Sequence, residues 1–238
     1  MYALEDSYWW FVGRHELSAD LLAAAETGRT DLRILDLGCG TGAMSARLRR
    51  FGTVVSADFS RLALGFCRRR GLTRLCAADA MRLPFASGSF DAVVALDVME
   101  HLPDDAACAA EIRRVLRPGG HLVATVPAYQ FLWSAHDIAL MHYRRYTVAG
   151  LRRLVIGAGL SPRRLSYAMT LLFPVVWAVR RATRESGAPK ASLVPVPALV
   201  NALLVAALRA ENALLRAIRL PFGVTVCCLA RRPEEPCP

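Results

Sequence analysis

The chain has 238 residues, 54% hydrophobic and 8% aromatic, enough for one α/β domain with a fully formed core. Its formal net charge of +10 admits acidic partners or a lipid surface, but Lys190 is the only lysine, so arginine-favouring codon usage explains the balance as well as a basic patch does. Seven cysteines, odd in number and with no Cys-x-x-Cys pair, point away from a zinc site or a disulfide framework; no metal is expected, and a reducing cytoplasm fits best, with no signal-peptide pattern at the start.

In chain order, "EDSYWWFVGRHELSADLLAAAE" reads as one amphipathic helix with an aromatic cluster near its start. From residue 32 to about 126, the β-rich runs "LRILDL", "TVVSAD", "RLCAA", "FDAVVAL" and "HLVATV" alternate with helical segments. Those helices are predicted at about 42–50, 60–70 and 104–116, the last capped by Asp104 and closed by "RPGG". Strands apolar on both faces, separated by crossover helices, make a doubly wound, mostly parallel sheet. After "VTVPAY" comes "QFLWSAHDIALMHYRRYT", rich in aromatic, His and Arg residues, then a helix ending at "GAGLSP". Residues 170–220 are mostly apolar, broken by Pro174, Pro195 and Pro197, and "GVTVCCLARR" is the last strand candidate. The chain thus divides, within a single domain, into a helical cap (1–31), a core (32–169), an apolar helical insertion (170–220), a last strand (221–232) and a disordered tail (233–238).

The insertion approaches membrane-spanning length, but prolines, Asn201 and adjacent charges argue against a span. Wound as a helix, residues 198–222 gather Asn201, Arg209, Asn212, Arg216 and Arg219 within an arc of roughly 80°, leaving a broad apolar face. Core packing or a lid over an acceptor pocket is the first expectation for that face, and contact with a bilayer interface the second.

The stretch "ILDLGCGTG" (Ile34 to Gly42) is a strand, a tight turn and a helix start. Gly38 and Gly40 lack the β-carbons that would keep a ligand off the backbone, and Gly42 lets the helix start against the sheet. The spacing D-x-G-x-G-x-G differs from the dinucleotide and triphosphate loops, so a pyrophosphate is disfavoured. Asp58 ends the second strand at the distance where an acid accepts ribose hydroxyls, and Asp79 and Asp97 follow the third and fourth strands on the same carboxyl edge.

Together with "SADFS", "AADAMRLPFASGSFDAVVALDVMEHLPD" and "EIRRVLRPGGHLVATVP", this stretch resembles the class I S-adenosylmethionine-dependent methyltransferases over most of residues 32–127, especially the small-molecule group that includes the ubiquinone and menaquinone biosynthesis enzymes. The flanks resemble a bacterial subgroup with "WWF-x-x-R", "H-x-R-R-Y" and "P-F-G" elements, here Trp9 to Arg14, His142 to Tyr146 and Pro221 to Gly223. The resemblance implies a Rossmann-like seven-stranded sheet and S-adenosyl-L-methionine as cofactor. It implies that Asp36, Gly38, Gly40 and Gly42 surround the methionine and ribose parts, that Asp58 binds the ribose, Phe59 packs on adenine, Asp79 and the Ala80 backbone contact adenine, and Asp97 lies beside the amino-acid end. Trp10 and Arg14 either cap the cofactor, Arg14 pairing with its carboxylate, or anchor the first helix on the core.

A hydroxyl or amine acceptor needs a group to take its proton. The candidates are His136, Asp137 and His142 after the fifth strand, with His101 at the mouth of the fourth; for each histidine a structural hydrogen bond is the competing explanation. Arg144 and Arg145 are candidate anion binders, and Tyr146 and Thr147 alternatively introduce the next helix. The expected partner is a small, hydrophobic methyl acceptor rather than nucleic acid, because Asp97 is followed by Val98-Met99-Glu100 and not by the Pro-Pro-aromatic motif of base-amine methylation. The alternatives are a nucleic-acid methyltransferase, supported only by the positive charge, and a non-catalytic cofactor-binding or membrane-associated protein; the expected location is cytoplasmic, with peripheral contact at the inner face of a membrane as an extension.

Overall fold

The computed structural model describes residues 2–182 and 196–234. Its centre is a seven-stranded sheet of β1 (Leu32–Leu37), β2 (Gly52–Asp58), β3 (Leu75–Ala77), β4 (Phe90–Leu96), β5 (Leu116–Pro127), β6 (Ser161–Ala168) and β7 (Thr225–Arg231), in the order β3-β2-β1-β4-β5-β7-β6. All neighbours run parallel except β7, which is antiparallel to both β5 and β6. This is the doubly wound, mostly parallel sheet expected from the alternation of apolar runs.

The middle strands are buried on both faces: every residue from Phe90 to Ala95 is buried, as are Ile34 to Leu37. Two large apolar clusters cover the two faces, one around Leu35, Val93 and Ile112, the other around Leu22, Ile34 and Leu48. Helices α2 (Ala43–Leu48), α3 (Arg61–Arg69) and α4 (Asp105–Val115) are the crossovers. Asp104 caps α4 by accepting from Ala107 N–H at 2.9 Å, and Ser60 caps α3 by accepting from Ala63 N–H at 3.3 Å. The "RPGG" run does more than close α4, since it forms the bulged start of β5.

Strand β6 was not located by its apolar pattern. Its sequence, "SPRRLSYA", carries Pro162, Arg163 and Arg164 because it is the sheet's edge, where a missing N–H and charged side chains face outward and deter further strand pairing. After β5 come α5 (Ala135–Ala139) and α6 (Val148–Gly157), the latter capped by Thr147 as the sequence allowed.

The helical ends differ more from expectation. Helix α1 (Trp9–Ala25) begins at Trp9 and is buried around most of its circumference, Arg14 and Ser18 included, because it lies between the sheet and α8 (Ala198–Ala217). The polar stripe of α8 turns inward onto α1: Asn212 donates to Gly13 O at 2.9 Å, Asn201 Oδ1 accepts from Trp9 N–H at 2.9 Å, and Arg209 and Arg216 pair with Glu16 and Asp20. Glu211, also buried, accepts from Thr170 and Leu171 N–H ahead of α7 (Phe173–Ala182). Helix α8 ends at Ala217, so Arg219 falls outside the stripe. The apolar face that core packing would have covered is open among the described residues, with Leu199 and Leu203 well exposed, as are Val175, Trp177 and Val179 of α7. The expected disordered tail lies mostly outside the described residues.

Close approach of α1 and α8 depends on Gly13, where a β-carbon would meet Leu208 Cδ1 at 2.5 Å and Leu208 Cβ at 3.0 Å. Gly13→Ala is therefore expected to lower stability by about 1–3 kcal/mol through overpacking, despite its better helix propensity. In a denaturant double-mutant cycle with Leu208→Ala the two effects should be strongly non-additive; simple additivity would mean that the helices do not meet here.

Candidate active site

Parallel pairing puts the strand ends of β1, β2 and β4 at one height. Leu37 pairs with Ala57 on one side and Ala95 on the other, so the glycine turn, Asp58 and Asp97 emerge together at the carboxyl edge. Gly38, Gly40 and Gly42 all adopt positive φ (67°, 54° and 87°), the left-handed region that glycine enters without a steric cost. Gly40 is the open one: nothing lies within 4 Å of where its β-carbon would stand. Its N–H donates to Asp58 Oδ2 at 2.9 Å, and Ser60 N–H donates to Oδ1 at 2.8 Å, so Asp58 ties the glycine turn to the start of α3. Phe59 beside it is 83% exposed, a ring left free to cover a flat ligand. At the end of β3, Asp79 is exposed and accepts from Met81 N–H at 2.8 Å, while Ala80 is buried.

Asp36 sits below this edge, 2% exposed, and accepts from the Ser45 hydroxyl, which in turn receives Ser56 Oγ at 2.7 Å. Burial pushes its carboxyl up to about 7 despite the Ser45 hydrogen bond. Asp97 terminates β4 with φ 52°, a left-handed conformation uncommon for a residue with a side chain. Thr125 Oγ1 donates to it at 3.0 Å. The Arg14 guanidinium also contacts Asp97 and stacks over Trp10 at 5.6 Å from the ring centroid. In this structure Arg14 is held by a carboxylate of its own chain, an arrangement that accords with the alternative in which it anchors the first helix on the core. The turn before α1 closes from the other side, where Glu5 accepts from Thr41 and pairs with Arg70.

These strand-end residues lie within a segment, residues 35–124, that matches the methyltransferase domain family. The demethylmenaquinone methyltransferase of Beutenbergia cavernae is 49% identical over 94 residues, covering 38% of this chain and 39% of that protein. The chain spans about a third to somewhat over half the length of the curated relatives it matches. Among solved structures, the cyclase SpnF aligns with a TM-score of 0.61 at 24% identity, over 93% of this chain and 82% of that one. Phosphoethanolamine N-methyltransferase 2 of Haemonchus contortus, solved with S-adenosyl-L-methionine, aligns with a TM-score of 0.61 at 19% identity, over 98% of this chain and 58% of that one. Residues 35–124 thus resemble the S-adenosylmethionine-dependent methyltransferase domains, and the chain shares the fold of these solved structures.

The residues present fit the cofactor of that domain class. The space beside Gly40 is a cradle that any β-carbon would fill, and the acidic strand ends suit a ligand carrying an ammonium and a sulfonium. Hydroxyls of its ribose would meet Asp58, and its adenine the Phe59 ring and the Asp79–Ala80 corner.

Beyond β5 the structure departs from the sequence reading in detail. Asp137 and His142 do come together, His142 Nδ1 lying 3.0 Å from Asp137 Oδ1. The His136 ring takes no hydrogen bond with any described residue, its backbone N–H donating to Ser134 Oγ at 3.3 Å, and burial with Arg180 nearby lowers its pKa. Asp137 is fully buried and anchors Arg145 and Arg180, each at 2.7 Å, together with the Ser134 cap, so it positions other groups and does not face a ligand. Its carboxyl is held below the usual range by His142 and the two arginines, which outweigh burial. Arg144 and Arg145, candidates for binding an anion, are likewise used internally: Arg144 pairs with Asp105 and donates to the Leu102 and Pro103 carbonyls, and Arg145 donates to Ala128 O. Tyr146 donates to Asp105 Oδ2 at 2.7 Å.

Two features were missed in the sequence. Glu100, fully buried in the turn after Asp97, has two carboxylate oxygens with no partner. An aromatic wall of Tyr129, Phe131, Tyr167, Phe173 and Phe222 lies over the ends of β5 and β6, with Tyr129 stacked between Phe131 (4.9 Å) and Tyr167 (4.8 Å). Tyr129 at φ 55° marks the same edge. Its members come from four separate segments, so no local pattern announces it.

The raised carboxyl of Asp36 has a consequence for stability. Native Asp36 keeps its proton to about pH 7, whereas the unfolded chain loses it near 3.8, so this group's ionisation costs stability as pH rises between those values. Asp36→Asn, which never ionises, should match the parent chain below pH 4 and exceed its stability by on the order of a few kcal/mol above pH 7. Denaturant melts of the ligand-free protein across pH read this directly; equal stability at both ends would place a charged Asp36 in the native state.

Proposed function

We propose that this chain is a methyltransferase that moves the methyl group of S-adenosylmethionine onto a small, hydrophobic acceptor, with O- or N-methylation ahead of C-methylation. The observation that carries the reading is the junction at the sheet's carboxyl edge: the open Gly40 cradle with its acidic strand ends adjoins the aromatic wall and the His101–His142 pair. A sulfonium that transfers its methyl loses its positive charge in the transition state, so an apolar, water-poor acceptor site favours the reaction through positioning and desolvation. Quinone precursors are a natural first acceptor class, since a relative matched over this core is a demethylmenaquinone methyltransferase. The acceptor's proton leaves beside His101 and His142, whose rings meet edge to face at 4.6 Å; burial and His142 keep the His101 pKa below its ordinary value, so its ring is neutral at physiological pH.

Transfer of labelled methyl from S-adenosylmethionine to a panel of demethylated quinols and phenols tests the activity. Titration calorimetry tests the binding half separately. Gly40→Val, which fills the cradle and places a β-branched residue at positive φ, should abolish binding. Asp58→Ala should weaken it by about 1–3 kcal/mol, the cost of losing a charged hydrogen-bond acceptor. Undiminished binding in the valine variant would remove the glycine turn from the site.

The same reading extends to where the acceptor comes from. Helix α8 is long and apolar enough to cross a membrane by length and composition, but its four polar contacts hold it along α1. An interfacial position, α8 lying on an anionic inner leaflet with Leu199, Val200 and Leu203 in the acyl boundary, satisfies both that docking and the net charge of +10. Flotation with phosphatidylglycerol vesicles should carry the protein upward, and Leu199→Glu with Leu203→Glu should leave it at the bottom without changing cofactor affinity. No flotation of the parent chain would mean that the acceptor arrives through water.

A further inference from the structure

Glu100, His101 and His142 each offer one ligand atom, and these atoms lie within 4.8 Å of one another. Glu100 and His101 belong to the turn that follows Asp97, and His142 is brought to them by the segment after β5. That segment is fastened to the turn at several points: Tyr143 N–H donates to Glu100 O at 2.7 Å, Arg144 holds the Leu102 and Pro103 carbonyls, and Tyr146 holds Asp105. Three consecutive-region anchors therefore fix the place of one histidine.

Each member of the cluster is prepared in a way that a purely structural role does not explain. Glu100 is fully buried and both its oxygens lack a hydrogen-bond partner among the described residues, a costly condition for a carboxyl group. Arg14 and Arg145 are near enough to act on it electrostatically, as is Asp97 with the opposite sign, yet none of them bonds to it. His142 has Nδ1 against the Asp137 carboxylate, leaving Nε2 as its free ring nitrogen. The His101 ring stands edge to face against the His142 ring, with 4.6 Å between centroids. An imidazole whose outer nitrogen is held by a carboxylate or carbonyl is how proteins orient a metal-binding histidine, and Asp137 in turn is held by Arg145 and Arg180.

We propose that Glu100, His101 and His142 bind a first-row divalent cation such as Zn²⁺ or Mn²⁺ at the acceptor side of the active site. Two imidazoles and one carboxylate select this class over Mg²⁺ or Ca²⁺, which prefer oxygen alone. The remaining coordination positions are open to an oxygen of the acceptor. The catalytic consequence, though not the binding, rests on the methyl-transfer reading above: an acceptor hydroxyl bound to the cation gives up its proton to solvent. Its oxygen pair then forms the O–CH₃ bond while the S–CH₃ pair returns to sulfur, releasing a neutral thioether. The site favours O-methylation and lets both histidines serve as ligands instead of bases.

The test uses the full chain, stripped with a chelator and titrated with Co²⁺, whose visible absorption reports imidazole and carboxylate ligation, and with Zn²⁺ by calorimetry. One equivalent of each should bind. The isosteric Glu100→Gln and the exposed-site His101→Ala should each weaken binding about 10–100-fold while S-adenosylmethionine binds as in the parent. Binding of Co²⁺ and Zn²⁺ to Glu100→Gln as tightly as to the parent, or none to the parent, would overturn the site. Parent protein that binds the cation but not S-adenosylmethionine would leave the metal site standing and remove the methyl-donor reading instead.

Discussion

The parallel ladder of β2, β1 and β4 is the constraint on which the rest of the molecule depends. Because Leu37 is level with Ala57 and Ala95, three strands release their chains at one height, and every residue that follows is delivered to the same edge. A register slip of one residue would turn each strand's buried side chains over and separate the glycine turn from Asp58 and Asp97. The bond from Gly40 N–H to Asp58 makes the dependence concrete, since it joins the end of β1 to the end of β2 across the gap where a ligand's backbone contacts lie.

That edge concentrates negative charge. Asp36, Asp58, Asp79, Asp97 and Glu100 all belong to it, and among the described residues only Asp97 has an arginine in direct contact. Burial answers for two of the others by raising their carboxyl pKa, Asp36 to about 7 and Glu100 well above its ordinary value. The two proposed ligands, a sulfonium with an ammonium on the β1–β2 side and a divalent ion on the β4 side, would both answer that charge.

The segment after β5 is organised on a different principle. One buried anion, Asp137, gathers Ser134, His142, Arg145 and Arg180 from parts of the chain spread over 46 residues. The arginines that looked available for substrate are spent on holding this loop against the turn after β4, and the gain is a fixed histidine. Helix α8 shows a comparable inversion. Its polar residues meet α1 alongside the buried Leu208 and Leu215, while Leu199 and Leu203 look outward, where an ordinary surface helix would present polar side chains.

The sequence by itself determined the class of fold and the candidate cofactor edge, because both rest on local signals. Apolar runs of strand length, the D-x-G-x-G-x-G turn and acids directly after strands are read within a few residues of one another, and parallel topology brings such strand ends to one side. Strand β6 escaped this reading because an edge strand carries charge and proline where a central strand carries valine. The partnership of Asp137 with His142 was legible because the two are five residues apart, whereas His136, next to Asp137 in sequence, is turned out of that pair by the α5 helix it belongs to. Only the tertiary structure decided which face of α8 is inward, that Arg14 serves Asp97, and that Glu100 stands unpartnered beside two histidines. Periodicity shows that a helix has two faces but not what lies opposite each, and a carboxylate 42 residues before His142 becomes its neighbour only through the packing of two loops on a shared sheet edge.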